Sequence, residues 1–288
     1  MAPASFSGVF RPPTGEPADY ALLGVPFDRG SSFRAGAHLG PQAIREMAES
    51  LSPGTERGRD LSHLNAVDRG DLEISRNAQE AREQVEDALS DTLNDGAVPI
   101  VLGGDHGITV PCFQAVLTRY PDVRLLYLDA HPDLYGEFQG DPYSHACVAS
   151  RILEIEGMTG DRITQAGLRA WTPEQREMAD RHGIQTFSMW EMDRFECETT
   201  KPVYLSLDID VLDPAFAPAV GNPVPGGLSS RRLIELIQAL DVEIVGMDLV
   251  EVNPLLDRAN VTSAAAARLV LEALGVMAER RQRHGQKG

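Results

Sequence analysis

Three short segments constrain this chain most, because each gathers charge where a strand-like apolar run ends. They are Gly103-Gly104-Asp105-His106, Asp129-Ala130-His131-Pro132-Asp133 and Asp208-Ile209-Asp210-Val211-Leu212-Asp213-Pro214. Carboxylates and imidazoles brought together against a folded core are costly unless a cation lies among them. A fold that tolerates all three must bring three strand ends to one place. A two-metal site accounts for them together.

The rest of the chain supplies such a fold. Strand-length runs lie near Tyr20–Val25, Asn65–Arg69, Val98–Leu102, Arg124–Leu128, Arg162–Gly167, Ile184–Ser188, Val203–Leu207 and Glu243–Leu249. Helical patterns lie between and after them, near Pro41–Ser50, Ala78–Leu93, Ile108–Arg119, Ser144–Glu156, Pro173–His182, Ser230–Leu240 and Ser263–Arg281. Such alternation predicts parallel strands with helices on both faces. The all-apolar runs Leu125-Leu126-Tyr127-Leu128 and Val98-Pro99-Ile100-Val101-Leu102 are expected to be central strands. No composition break marks a linker and no segment repeats, so residues 1–288 read as one domain. Residues 1–17 are expected to form an extended arm and 282–288 a frayed tail, with His284 no ligand.

Composition narrows the function. The 288 residues carry a net charge of -17, which opposes phosphate backbones and excludes the nucleic-acid binders while mildly attracting a cation. No apolar run reads as long enough to span a bilayer, and the N-terminus lacks the pattern of a signal peptide. No membrane partner is expected. Three scattered cysteines, Cys112, Cys147 and Cys197, argue against a disulfide framework and fit a reducing cytoplasm.

In open parallel sheets ligands bind beyond the carboxyl ends of the strands. There, Gly103-Gly104 is expected to turn the chain sharply and place His106. Asp129, His131 and Asp133 alternate, as do Asp208 and Asp210, so an extended backbone would put each set on one face. Two imidazoles and four carboxylates suit Mn²⁺ and tolerate Fe²⁺, Co²⁺, Ni²⁺ or Zn²⁺, and four negative charges match two divalent ions better than one. Asp213-Pro214 reads as a turn. Cys147, although close to His145, reads as a small buried hydrophobe.

These residues resemble the ureohydrolase (arginase/agmatinase) family over about Gly24 to Leu274. The carriers are Gly24-Val25-Pro26-Phe27-Asp28 with Ser32-Phe33-Arg34-Ala35-Gly36, the stretch Ser206–Pro218, and Gly246-Met247-Asp248-Leu249-Val250-Glu251-Val252-Asn253-Pro254. The resemblance implies a three-layer αβα sandwich with an eight-stranded parallel sheet, two Mn²⁺ per chain, and a homo-oligomer, trimer or hexamer. It implies that one ion takes His106, Asp129, Asp133 and Asp208, and the other His131, Asp129, Asp208 and Asp210. It also gives His145 and Glu251 catalytic roles, with Glu251 holding a guanidinium. Asp133 would hydrogen-bond the nucleophile. The chemistry is coherent: a guanidinium carbon is a poor electrophile, so attack calls for a hydroxide bridging two ions, and the departing amine needs a proton from a near-neutral histidine.

For substrate, Tyr135 and the loop Gly136–Ser144 resemble agmatinases rather than arginases. The implied reaction is hydrolysis of agmatine, a small cation, to putrescine and urea. Gly107, Ala146 and Asn222 depart from the family pattern. With Tyr135 and Asn222 at the substrate, they leave a guanidino acid such as guanidinobutyrate or guanidinopropionate, arginine or another small guanidine as alternatives. A metal-dependent deacylase is the rival of another class, and Glu251 speaks against it.

Overall fold

The computed structural model describes residues 5–285. Its strands are β1 (Tyr20–Val25), β2 (Ala66–Asp71), β3 (Val98–Gly103), β4 (Arg124–Leu128), β5 (Ile163–Leu168), β6 (Gln185–Ser188), β7 (Val203–Asp208) and β8 (Ile244–Val250). All pair in parallel, in the order β2-β1-β3-β8-β7-β4-β5-β6. The last strand in sequence therefore lies in the middle of the sheet.

Helices α1 (Gly40–Ala48), α2 (Ala78–Asn94), α3 (Thr109–Arg119), α4 (Val148–Leu153), α5 (Pro173–His182), α6 (Ser230–Ala239) and α7 (Val261–Gly285) cover both faces. Alternate strand residues feed two apolar layers. Leu126, Leu128, Leu205 and Leu207 pack with Ile44, Leu233, Ile237 and Val270 of α1, α6 and α7. Leu125, Tyr127 and Tyr204 pack with Val85, Leu89, Phe113 and Ile152 of α2, α3 and α4. Burial on both faces is why the central strands read as unbroken apolar runs. The expected three-layer αβα sandwich is the observed fold.

Local signals set the helix limits. Asn77 caps α2 by accepting from the N–H groups of Gln79 and Glu80. Thr172 and Gln175 form a reciprocal capping box on α5, which ends at Gly183 with φ 72°. The expected helix over Ser144–Glu156 is shorter: Ser144 caps a 3-10 turn at His145–Cys147, and only Val148–Leu153 is α-helical.

Two further expectations change. Val261–Arg283 is long and apolar enough to cross a membrane by length and composition, yet 72% of its most apolar window is buried inside the fold. Arg268 and Glu272 interrupt the run, and both have partners in the fold. Arg268 donates to the Gly54 carbonyl, while Glu272 accepts from Glu56 N–H and the Gln238 amide. The N-terminal arm is not extended throughout. Ser5 and Phe10 pair as an antiparallel bridge, because Phe6, Val9 and Phe10 are buried in the core. At the other end α7 continues to Gly285, past the start of the expected tail, and the His284 side chain lies outside what is described.

Candidate metal centre

The segment after β3 is shaped by close approach. A Cβ on Gly104 would collide with the Phe27 carbonyl oxygen, which accepts the Asp105 N–H at 2.8 Å. The chain bends at Gly104 and Asp105 directly after β3, as expected, and Gly104 is needed there for that close contact rather than for a left-handed backbone. Asp105 then accepts from Gly107 N–H at 2.9 Å and, with its other oxygen, from Gly30 N–H at 2.6 Å. This carboxylate ties the first loop to the turn that carries His106. It also bears on the departure at 107, where a Cβ would lie 2.9 Å from Asp105 Oδ1. Gly104→Ala is expected to cost about 1–3 kcal/mol from overpacking. Urea unfolding would show this, and an unchanged midpoint would refute the close-packing argument.

The other two segments are turns and not extended strands, which corrects the alternate-face expectation. β4 stops at Leu128; His131 N–H donates to Asp129 Oδ1 at 2.6 Å, and Asp133 adopts φ 48°. Asp208 Oδ1 accepts from Asp210 N–H at 2.7 Å and caps a 3-10 turn at Ile209–Val211. Short carboxylate-to-backbone bonds satisfy the turn while leaving the second oxygens free to converge.

Those oxygens meet two imidazoles. His106 Nδ1 is 3.0 Å from Asp129 Oδ2, 3.1 Å from Asp208 Oδ2 and 3.6 Å from Asp133 Oδ2. His131 Nδ1 is 3.0 Å from Asp210 Oδ2 and 3.4 Å from Asp129 Oδ1. Two potential cation sites result, His106-Asp129-Asp208 and Asp129-His131-Asp210, and Asp129 belongs to both. Asp208 falls in the first cluster only.

The donor set fits divalent ions. Asp129 is fully buried, and its Oδ2 has no hydrogen-bond partner despite the nearby imidazole. Burial pushes Asp208 and Asp210 upward, helped by Asp210 and Asp129 in the first case and by Asp129 in the second, and burial with Asp129 beside it lifts Asp133 to about 7. Burial opposes a charge on His106, but Asp129 and Asp208 override it and raise its pKa. Four carboxylates this close cannot all remain ionised without positive charge among them. The tautomer fits as well. Ser206 Oγ donates to Asp248 at 2.8 Å and so accepts from His106 Nε2 at 2.8 Å, which leaves the Nδ1 lone pair facing the carboxylates.

The other expected site residues lie beside this cluster. Glu251 follows β8 with φ 67°, a left-handed backbone that costs energy in a non-glycine residue and is over-represented at functional sites. Its Oε1 accepts from His106 N–H at 2.8 Å and lies 2.8 Å from His145 Nδ1. His145 Nε2 lies 2.7 Å from Ser32 Oγ and 3.1 Å from Ser32 N, and Asn222 reaches Ser32 Oγ at 3.4 Å. Burial works against a charged His145, but Glu251 overrides it and lifts the pKa to about 9. Tyr135 packs on Phe138 and donates its N–H to Ala146 O. Cys147 is buried with its thiol pushed up to about 11 by desolvation, which suits packing and not nucleophilic attack. Asp213 serves its loop, accepting from the N–H groups of Ala215, Gly226 and Gly227.

Sequence reading missed a polar layer beneath the ligands. Tyr127 pairs in register with Ser206, and Ser206 with Asp248, so the three form one row across β4, β7 and β8. Tyr204 OH donates to Asp248 at 2.7 Å and completes it. The available signal was a polar residue two positions before Asp129 and Asp208, and three before Glu251. Arg169 was missed too. Its guanidinium donates to the carbonyls of Asp210 and Leu212 and fixes that turn.

An all-parallel sheet with carboxylate-imidazole clusters beyond its strand ends has the architecture of a metal-dependent enzyme of the αβα class. The arginase family model matches residues 18–275, and the chain belongs to the arginase family. Members depend on a binuclear metal centre, typically manganese, and this chain is a hydrolase acting on linear amidine C–N bonds. It is 33% identical to an agmatinase of Bacillus anthracis over 91% of this chain and 93% of that protein. It is 38% identical to a mitochondrial arginase 1 of Oryza sativa subsp. indica, over 90% and 81% respectively. The solved proclavaminate amidino hydrolase of Streptomyces clavuligerus superposes with a TM-score of 0.88 at 32% identity, covering 96% of this chain and 97% of that one.

Proposed function

We propose that this protein hydrolyses agmatine to putrescine and urea with two Mn²⁺ ions, which Asp129 and Asp208 would hold in common. The observation that carries the guanidino reading is Glu251: a buried carboxylate, kept below its usual pKa mainly by His145 against the cost of burial, lies beside the cation sites. The agmatinase-like loop at Gly136–Ser144 and the Bacillus relative favour agmatine. The proclavaminate enzyme and the rice arginase keep a guanidino acid or arginine as the second reading.

Bound ions supply Lewis acidity, which lets water attack at neutral pH. The remaining tasks fall to the chain. Glu251 holds the guanidinium and orients its carbon, removing part of the entropic barrier. In doing so the guanidinium competes with His145 for one carboxylate. His145 then loses the partner that raised its pKa, while Ser32 N–H, which donates only to an unprotonated Nε2, favours the neutral ring. Substrate binding thus moves His145 toward a pKa from which it can pass a proton to the leaving amine. A homo-oligomer, trimer or hexamer, in the cytoplasm completes this reading.

The test is urea release from agmatine by manganese-loaded protein, run beside arginine, guanidinobutyrate and guanidinopropionate. Agmatine is expected to have the highest kcat/KM. Faster turnover of a guanidino acid would overturn the agmatine assignment and leave the chemistry standing.

A further inference from the structure

Tyr127 is fully buried at the end of β4, two residues before Asp129. Its ring stacks on His106 with centroids 4.4 Å apart and planes within 3°. Its hydroxyl donates to Asp133 Oδ2 at 2.6 Å and lies 3.1 Å from His106 Nδ1. Among the described residues, its hydroxyl makes no hydrogen bond to His131 or Asp210 of the second cluster. The two cation sites share Asp129 but have different supports. One rests on an aromatic plane and a phenol, and the other on backbone, with Asp210 Oδ1 accepting from Ala130 N–H at 3.1 Å.

We propose that Tyr127 is a positioning residue for one cation site only, the one built on His106, and that it sets the two sites apart in affinity. The inference rests on the two-ion reading of this centre but not on the choice of substrate. The phenol O–H has one proton. With the His106 Nδ1 lone pair turned to an ion, that proton belongs to Asp133, whose carboxylate accepts no other hydrogen bond among the described residues. The stacked ring blocks rotation of the imidazole out of the ligating plane. A group that orients a ligand through a hydrogen bond typically changes metal affinity by about 10–100-fold.

Tyr127→Phe isolates the hydroxyl, because the ring and its stack on His106 remain. Metal-free wild type and Y127F would be titrated with Mn²⁺ while electron paramagnetic resonance follows free ion and bound, spin-coupled pairs. Circular dichroism of the metal-free proteins checks that both are folded. Wild type is expected to take two ions per chain. Y127F is expected to keep one site within about threefold of wild type and to weaken the other about 10–100-fold. At an ion level that saturates wild type, the coupled signal then gives way to that of an isolated ion. Unchanged affinity at both sites, or equal weakening of both, overturns the proposal.

His131→Asn provides the mirror case and is expected to weaken the opposite site. The double variant Y127F/H131N should then hold no ion at that level, whereas retention of one would mean both residues serve the same site and would overturn the proposal. Wild type taking only one ion would instead overturn it through the two-ion reading. No arm uses a guanidino compound, so failure of the agmatine assignment would be seen separately.

Discussion

Asp129→Asn is expected to abolish turnover and to strip metal from the centre. Asp129 is the one side chain common to both cation clusters, with one oxygen near each imidazole. Asparagine keeps the shape and can still accept the His131 N–H through its carbonyl oxygen, so the turn is expected to survive. It loses the charge, however, and it places an N–H₂ where a cation must go. Several kcal/mol of charge stabilisation would disappear, a fall of roughly a thousandfold or more in kcat. Metal content measured after gel filtration should fall below two ions per chain. Asp208→Asn is expected to act in the same direction. Full activity with full metal content in either variant would sink the bridging assignment.

Glu251→Gln is the second large effect and has a different signature. The amide oxygen can still accept the His106 N–H, so the turn that presents His106 is expected to hold. What disappears is the negative charge beside His145. Losing a buried charged partner costs about 2–5 kcal/mol, so kcat/KM for a guanidinium substrate should fall by at least about 30-fold. KM should rise, and metal affinity should stay near wild type because Glu251 is not in either cation cluster. A variant with normal KM, or one that loses its ions, would remove Glu251 from the substrate clamp.

The fold was legible because burial on both faces leaves a strong mark. Leu125–Leu128 and Val203–Leu207 read as strands since every residue is enclosed, and the helical pattern over Pro173–His182 matches α5. The charged residues were legible by type, because carboxylates and imidazoles at strand ends are expensive to ignore. Their geometry was not. Alternation suggested extended backbone, while the real convergence comes from turns in which Asp129 and Asp208 each bind an N–H two residues on. Non-local pairings stayed hidden as well. Ser32 meets His145 across 113 positions, and Tyr127, Ser206 and Asp248 align only because β8 enters between β3 and β7. In one dimension each is a lone polar residue in an apolar run or loop.

That late entry of β8 has a consequence for how the protein is made. Strands β1 to β3 form one half of the sheet and β4 to β7 the other, with no direct pairing between the halves. His106 belongs to the first half, whereas Asp129, His131, Asp133, Asp208 and Asp210 belong to the second. Until residues 244–250 are made, the strand that pairs the half carrying His106 with the half carrying the carboxylates is missing. A cation held by His106 together with Asp129 and Asp208 would lie across that seam and would favour the final docking step. Any truncation before β8 leaves two sheet edges exposed to aggregation and the His106-Asp129-Asp208 cluster unassembled.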